Sequence, residues 1–506
     1  MAIHPDFPAF AAAYDGGRAQ VLYTRLIADL ETPVSAFLKL GEGRDNAFLL
    51  ESVQGGEARG RYSIIGLKPD LVWRCRDGVC EINRSARSQR DAFVPEAADP
   101  IASLRALIAE SRMDLPAGVP PMATGLYGYL GYDMVRLIEK LPHIPPDPLG
   151  LPDAILLRPT VTAIFDTVRD EILITTPVWP QAGIDARAAY ARASERLQDT
   201  IGDLERPAPA SPPVPEDMPA VSAIDSNTSH AEYLKIVERA KEYIRAGDVF
   251  QVVPSQRFQR PFALPPFSLY RALRRLNPSP FLYNLAFPGF SIVGSSPEIL
   301  VRLRDGVVTI RPIAGTRPRG KTPAEDAALA DELKSDPKER AEHLMLVDLG
   351  RNDVGRVAKI GEVKVTDSFF IERYSHVMHL VSNVEGRIRD GLDAVDALAA
   401  GLPAGTLTGA PKIRAMELID EFEKVKRGAV YAGAVGYFAA DGSMDTCIVL
   451  RTALIKDGTM YVQAGGGVVA DSVPEAEYQE TVNKAKALMT AADEAVRFAT
   501  AGKRGQ

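Results

Sequence analysis

Between Arg206 and Pro219 the chain carries six prolines, Pro207, Pro209, Pro212, Pro213, Pro215 and Pro219, and almost no large apolar side chain. Each proline fixes φ and removes a backbone donor, so such a run continues neither a helix nor a central strand. It reads as an extended surface linker over 206–225. The linker divides the 506 residues into an N-terminal part, 1–205, and a C-terminal part, 226–506. That length exceeds what one hydrophobic core supports, so two substantial lobes are expected.

Before the linker, Asn46–Ser52, Tyr62–Leu67, Ala123–Tyr132 and Ala154–Phe165 are apolar stretches of strand length separated by Gly-rich turns. After it, Tyr233, Ile236, Val237, Ala240, Tyr243 and Ile244 recur at helical spacing. That helix is expected to start at the Thr228–Ser229 cap signal and to end near Gly247. Further strand-like stretches are Val249–Arg257, Phe290–Val293, Ile299–Leu303, Val307–Ile310, Ala429–Phe438, Cys447–Ile455 and Met460–Ala464. They do not alternate regularly with helices. The expected class is therefore α+β, antiparallel sheets with flanking helices in a two-lobed chain, and not a doubly wound parallel sheet. Gly502–Gln506 reads as a loose tail.

With 59 basic and 66 acidic residues the net charge is −7, which argues against nucleic acid or an anionic membrane as partner. Cys75, Cys80 and Cys447 have no metal-ligand spacing, so neither a disulfide framework nor a zinc site is expected. There is no signal-peptide pattern and no apolar run of membrane-spanning length, so a cytoplasmic protein is expected.

Several strings are able to carry chemistry, and each has a plainer reading. Arg311–Arg317 reads as a tight turn with two arginines suited to an anion, with neutral Ala314 at its centre. After Ser335-Asp336-Pro337, a helix start, Glu339 and Glu342 are three apart; a second helix from Pro474 carries Glu477, Glu480 and Lys484 on one face. Two such helices suit a hard oxygen-liganded cation such as Mg²⁺, and equally read as solvated surface. In Ala464–Val468, Gly465, Gly466 and Gly467 let backbone N–H groups converge on a carboxylate, or form a flexible turn. Arg451, expected on the preceding strand, reaches the same anion or is a surface residue. His376 and His379 point to opposite faces of a strand, so at most one faces a site, and a structural histidine is the commoner case. Ala404–Lys412 opens a helix with two hydroxyls, an anion cradle or a capped loop.

These strings, in this order, resemble the chorismate-utilising enzymes, and most of all the large subunits of anthranilate synthases. The resemblance rests on Gly294–Glu298, Pro312–Arg317, Glu342–Leu349, Arg351–Asp353, Tyr374–Leu380, Thr408–Lys412, Met444–Cys447 and Ala464–Asp471, spanning Asp248 to Lys484, with Leu49–Ser52 added from the N-terminal part. It implies the chorismate-binding enzyme fold and conversion of chorismate and ammonia to anthranilate and pyruvate, the first committed step of tryptophan biosynthesis. By the same resemblance Glu342 and Glu480 bind Mg²⁺, which clamps a chorismate carboxylate. Arg451, Tyr431 and the amides around Gly465, Gly466 and Gly467 hold the enolpyruvyl carboxylate, with Lys484 among the substrate contacts. Gly315, Thr316 and Thr406 shape the ring pocket. Glu298 resembles the general acid for the departing C4 hydroxyl, and His379 the histidine of pyruvate elimination.

Relatives making aminodeoxychorismate, the alternative reading, resemble this chain but carry a lysine at the position of Ala314, where it attacks C2. Isochorismate and salicylate synthases carry a lysine base where this chain has Gln251, a catalytic position whose amide cannot activate water. Both substitutions point to ammonia. Leu50, Glu51 and Ser52, together with Pro280, Leu282, Tyr283, Val435, Gly436, Tyr437 and Cys447, resemble a tryptophan feedback site between the lobes. The pattern departs at Gly350 and at Leu407-Thr408, neither a proposed catalytic group. No cysteine sits in a Gly-rich elbow with a histidine partner, so a separate glutamine amidotransferase subunit is expected to supply ammonia.

Overall fold

The computed structural model describes residues 2–52, 60–209, 224–374, 377–428 and 430–500. The centre of the Pro-rich segment, His376 and the C-terminal tail lie outside the described residues. Every strand pairing among the described residues is antiparallel.

The organising element is a long ribbon, Tyr62–Arg76 against Ala154–Asp166. Every residue of Ala154–Asp166 is buried, so both of its faces are covered, and its Ile, Leu and Val run fits that setting. Midway, Pro69 stands opposite Pro159, and the register slips between Pro69 and Leu71. Neither proline can donate to the ladder, so pairing breaks there and each half of the ribbon feeds a different sheet.

The first sheet runs through Gln20–Ile27 and Glu171–Val178 on one side. On the other it runs through Ala47–Glu51, Phe281–Phe287, Phe290–Ser296, Thr452–Lys456, Thr459–Gly465 and Ser255–Pro261. The second runs through Gly125–Leu130, Ala434–Ala439, Met444–Ile448, Ile299–Arg304, Val307–Ile310 and Val377–Arg387, and the last pairs with both Ile313–Pro318 and Lys364–Arg373. Both sheets therefore draw strands from before and after the Pro-rich segment. Ala47–Glu51 pairs with Phe281–Phe287, and Gly125–Leu130 with Ala434–Ala439. The segment divides the chain along its length, while hydrogen bonds join the two parts in space.

Three buried clusters define the layers. Phe48, Tyr127, Tyr129, Tyr283, Ile292 and Val435, contributed by both sheets, pack between them. Helices Phe7–Asp15, Pro33–Leu40, Ala186–Glu205, Pro266–Leu276 and Pro474–Thr500 cover the outer face of the first sheet through Phe10, Phe37, Leu197, Tyr270 and Leu488. Helices Pro100–Glu110, Pro337–Gly355 and Ala394–Gly401 cover the second through Leu104, Val347, Val354 and Leu398. This helix–sheet–sheet–helix stack, antiparallel throughout the described pairings, is the α+β architecture that the pattern predicts.

Local signals hold where they are strongest. Helix His230–Ala246 starts at Ser229, whose hydroxyl and the Glu232 side chain form a capping box, and ends at left-handed Gly247. Two strand expectations are corrected. Val249–Arg257 is interrupted at Pro254, giving Gln251–Val252 and Ser255–Pro261. Cys447–Ile455 is broken before Thr452, because Arg451 takes φ 49° and leaves the strand. Among the described residues no helix is long and apolar enough to cross a membrane.

Candidate active site

Glu298 occupies the short step between strands Phe290–Ser296 and Ile299–Arg304. Burial pushes its carboxyl up to about 8, and neither the Thr406 hydroxyl, which donates to Oε1 at 3.4 Å, nor the Arg451 charge cancels that effect. Glu298 is thus a neutral acid at pH 7. Arg451 itself is driven down by burial, with Tyr374 and Glu298 opposing, and its guanidinium makes no hydrogen bond or ion pair among the described residues. A half-buried cation that no side chain among the described residues pairs is a ready anion receptor.

His379 lies in strand Val377–Arg387. Its Nδ1 is 2.9 Å from the Gly315 carbonyl and 3.1 Å from Thr316 Oγ1. A carbonyl only accepts, so Nδ1 carries the hydrogen and Nε2 is left as a bare lone pair. Nε2 is buried and has no hydrogen-bond partner among the described residues. Burial lowers the imidazole to about 4, the Gly315 carbonyl opposing and Arg451 adding to the fall, so it stays a neutral base above that pH. The Tyr374 ring packs edge-on at 5.4 Å.

The segment expected as an arginine-flanked turn is instead a strand, Ile313–Pro318, with a register shift between Ala314 and Thr316. Gly315 makes the bulge at φ 62°, and a Cβ there would come within 2.9 Å of Glu339 Oε2. Both arginines are ion-paired: Arg311 with Glu372, and Arg317 with Glu332, Asp336 and Glu339. Ala314 is buried and neutral.

A second group of side chains adjoins the first through Glu339. Helix Pro337–Gly355, capped by Asp336, carries Glu339 and Glu342. Burial raises the Glu342 carboxyl, and like charge on Glu339 and Glu480 raises it further. Glu477 is raised by burial and by Glu480, against a Ser472 hydrogen bond. Glu480 pairs with Lys484 at 2.7 Å, and Lys484 Nζ donates to the Gly465 carbonyl at 2.9 Å. Carboxylates that repel one another across two helices supply hard oxygen donors. Among the described residues no group of three or more His, Cys, Asp or Glu side chains is arranged as a metal cage.

The three glycines are tightly packed and not a slack turn. An added Cβ would lie 2.9 Å from Tyr431 Oη at Gly465, 3.1 Å from Glu477 Oε2 at Gly466, and 2.5 Å from Gln251 Nε2 at Gly467. Gln251 is buried, and its Oε1 has no hydrogen-bond partner among the described residues. Within Ala404–Lys412, of the two readings left open, the contacts of Thr408 and Lys412 fit the capped loop: Thr408 donates to the Ala404 carbonyl and Lys412 is paired with Asp353. Glu339 and Glu477, which the i,i+3 spacing to Glu342 and Glu480 places on the cation-facing helix faces, lie at the site, and Tyr374 joins it without a sequence signal of its own.

A family model described as chorismate binding enzyme matches residues 46–490. The chain belongs to this family. Anthranilate synthase component 1 of Cereibacter sphaeroides is 61% identical over 497 residues, covering 98% of each chain. The crystal structure of anthranilate synthase component I from Streptococcus pneumoniae TIGR4 superposes with a TM-score of 0.74 at 37% identity, over 92% of this chain and 99% of that one. MenF, the menaquinone-specific isochorismate synthase of Escherichia coli, shares the fold at TM-score 0.69 and 18% identity, over 96% of this chain and 100% of that one.

This chorismate-binding enzyme also holds a separate cavity of about 450 Å³ between its sheets. Leu50, Glu51, Ser52, Pro280, Leu282, Tyr283, Val435, Gly436, Tyr437 and Cys447 all line it. Glu51 is a buried carboxylate held by Tyr270 and Arg274. Pro297 and Ile299, on either side of Glu298, line the same cavity, as do Arg311 and Ile313 just before Ala314.

Proposed function

We propose that this chain is the large subunit of an anthranilate synthase, converting chorismate and ammonia to anthranilate and pyruvate in the cytoplasm as the first committed step of tryptophan biosynthesis. The observation that carries this reading is a neutral buried acid, Glu298, and a neutral base, His379, in a pocket with no side-chain amine at Ala314 or Gln251. Names of relatives up to 61% identical support it.

Chorismate's C4 hydroxyl is a poor leaving group until protonated. Glu298 supplies that proton as ammonia adds at C2, and water departs with the C4–O bond. His379 Nε2 then takes the C2 proton, the enolpyruvyl C–O bond breaks, the ring becomes aromatic, and pyruvate leaves after protonation at its methylene carbon. Unpartnered Arg451 and the Gly465–Gly467 amides, with Tyr431, hold the enolpyruvyl carboxylate; Thr316 and Thr406 orient His379 and Glu298. Glu342 and Glu480 fit Mg²⁺, and the bound ion supplies charge neutralisation for a ring carboxylate.

All three cysteines are buried, and burial pushes Cys75 up to about 12, so none serves as a glutaminase nucleophile. A separate glutamine amidotransferase subunit provides the ammonia. The cavity holds tryptophan as feedback inhibitor, and its shared walls at Pro297, Ile299 and Ile313 are where occupancy bears on Glu298 and Ala314. The test is purified chain with chorismate, Mg²⁺ and ammonium, followed for anthranilate fluorescence. Fluorescence without glutamine is expected; consumption of chorismate to a non-fluorescent amine would instead indicate aminodeoxychorismate synthesis.

A further inference from the structure

Three segments of the substrate pocket meet at one buried cation outside it. Arg427, 3% exposed, follows helix Lys412–Phe422. Its Nε lies 3.1 and 3.0 Å from the two Glu423 carboxylate oxygens, and its Nη2 lies 2.7 Å from Glu423 Oε1. Nη1 donates to the Leu407 carbonyl at 2.7 Å and Nη2 to the Val253 carbonyl at 2.6 Å. Glu423 is also buried, accepting from Ser255 N at 2.9 Å and Ser255 Oγ at 2.7 Å. The guanidinium carbon sits 4.9 Å from the Tyr132 ring centre and 5.3 Å from that of Tyr431.

The segments it ties are those that carry the proposed substrate contacts. Leu407 follows Thr406, whose hydroxyl donates to Glu298. Val253 lies two residues beyond Gln251, and Tyr431 packs beside Gly465. We propose that Arg427 is a positioning residue for the reaction: its planar fork sets Thr406 against Glu298 and Tyr431 against the glycine loop. This rests on the assignment of Glu298, Thr406 and Tyr431 to the chorismate pocket. The paired Glu423 cancels its charge locally, so its effect on the reaction is geometric. Only a guanidinium reaches both carbonyls and the carboxylate at once; an ammonium has no such fork.

The groups facing Glu298 are Thr406 and Arg451, and neither Arg427 nor Glu423 acts on it directly. Any change in Glu298 titration on altering Arg427 therefore passes through Thr406. Donation from Thr406 favours the ionised carboxylate, so losing it moves the alkaline limb of kcat to higher pH. The experiment measures kcat and chorismate KM from pH 6 to 9.5 with saturating ammonium and Mg²⁺, for wild type, Arg427→Lys, Thr406→Ala and the double variant. Arg427→Lys is expected to lower kcat at neutral pH roughly tenfold or more and to move the limb upward. Thr406→Ala should move it likewise, and the double variant no further than Thr406→Ala alone. Ser255→Ala, which loosens Glu423 and leaves the fork intact, should give a smaller upward move and carries the test if Arg427→Lys fails to fold. An unmoved limb in the folded variant, or fully additive moves in the double, would overturn the proposal with the functional reading intact. An inactive wild type would overturn that reading and, with it, this inference.

Discussion

Replacing Glu298 by glutamine should abolish catalysis and stabilise the protein, by an amount that depends on pH. The native carboxyl is held at about 8 against an ordinary value of 4.5, mainly by burial. Below pH 4.5 the group is protonated both folded and unfolded, so it imposes no penalty. Between pH 4.5 and 8 the unfolded chain releases the proton and the folded chain keeps it, so stability falls as pH rises. Each tenfold difference in proton affinity is about 1.4 kcal/mol, which sets a ceiling of about 5 kcal/mol above pH 8. Glutamine keeps the shape and an acceptor for Thr406 without that charge. An unfolding entropy of about 2.1 cal/mol/K per residue gives about 1.1 kcal/mol/K for 506 residues, so the ceiling corresponds to about 5 °C. Thermal unfolding of wild type and Glu298→Gln at pH 5 and pH 8.5 reads the difference. The variant should melt several degrees higher at pH 8.5 with little difference at pH 5, while kcat falls roughly 10²–10⁴-fold. Equal melting shifts at both pH values, or a variant less stable at pH 8.5, would refute the claim that the site holds a neutral carboxyl at a cost to stability.

His379→Asn should stop the reaction after amination, so chromatography should find an amino intermediate accumulating without pyruvate. Because the imidazole titrates near 4, the wild-type acid limb of kcat should stay below pH 5, whereas an acid limb near 6.5 would contradict the buried-neutral assignment. Ala314→Lys places an amine where ammonia adds, and anthranilate formation should drop at least roughly tenfold; full activity would show that this position does not decide the nucleophile. Glu342→Gln should remove turnover that added Mg²⁺ does not restore, with calorimetry showing weakened Mg²⁺ binding. Tryptophan in the millimolar range should slow the wild type, and calorimetry of Leu50→Trp, which enlarges a side chain lining the cavity, should show no tryptophan binding.

The parts of the fold legible in the sequence were those fixed by neighbours along the chain. Ser229, Glu232 and Gly247 bound their helix as the capping pattern requires, and Asp336-Pro337 starts the next candidate-site helix. The sharing of both sheets across the Pro-rich segment was not legible, because the pairing of Ala47–Glu51 with Phe281–Phe287 depends on contacts far apart in sequence. Pro312 and Gly315 imitate turn signals, yet Gly315 is a bulge in a strand whose partner, Val377–Arg387, lies more than sixty residues on. Arg311 and Arg317 looked available until their scattered carboxylate partners came together. Arg451 read as a strand residue because left-handed backbone at an arginine has no sequence signal. The motif strings carried Glu298, His379 and Arg451, which lie within reach of one another, while the Glu423–Arg427 pair, four residues apart, carries no motif that marks it as buried.

The central claim is that one pocket both aminates chorismate and expels pyruvate, with Glu298 and His379 acting in sequence. Its most direct measurement is the molar ratio of pyruvate to anthranilate released from chorismate by the purified chain with ammonium and Mg²⁺. The account predicts one pyruvate for each anthranilate at all times. An aminated product accumulating without pyruvate, or pyruvate released without anthranilate, would contradict it.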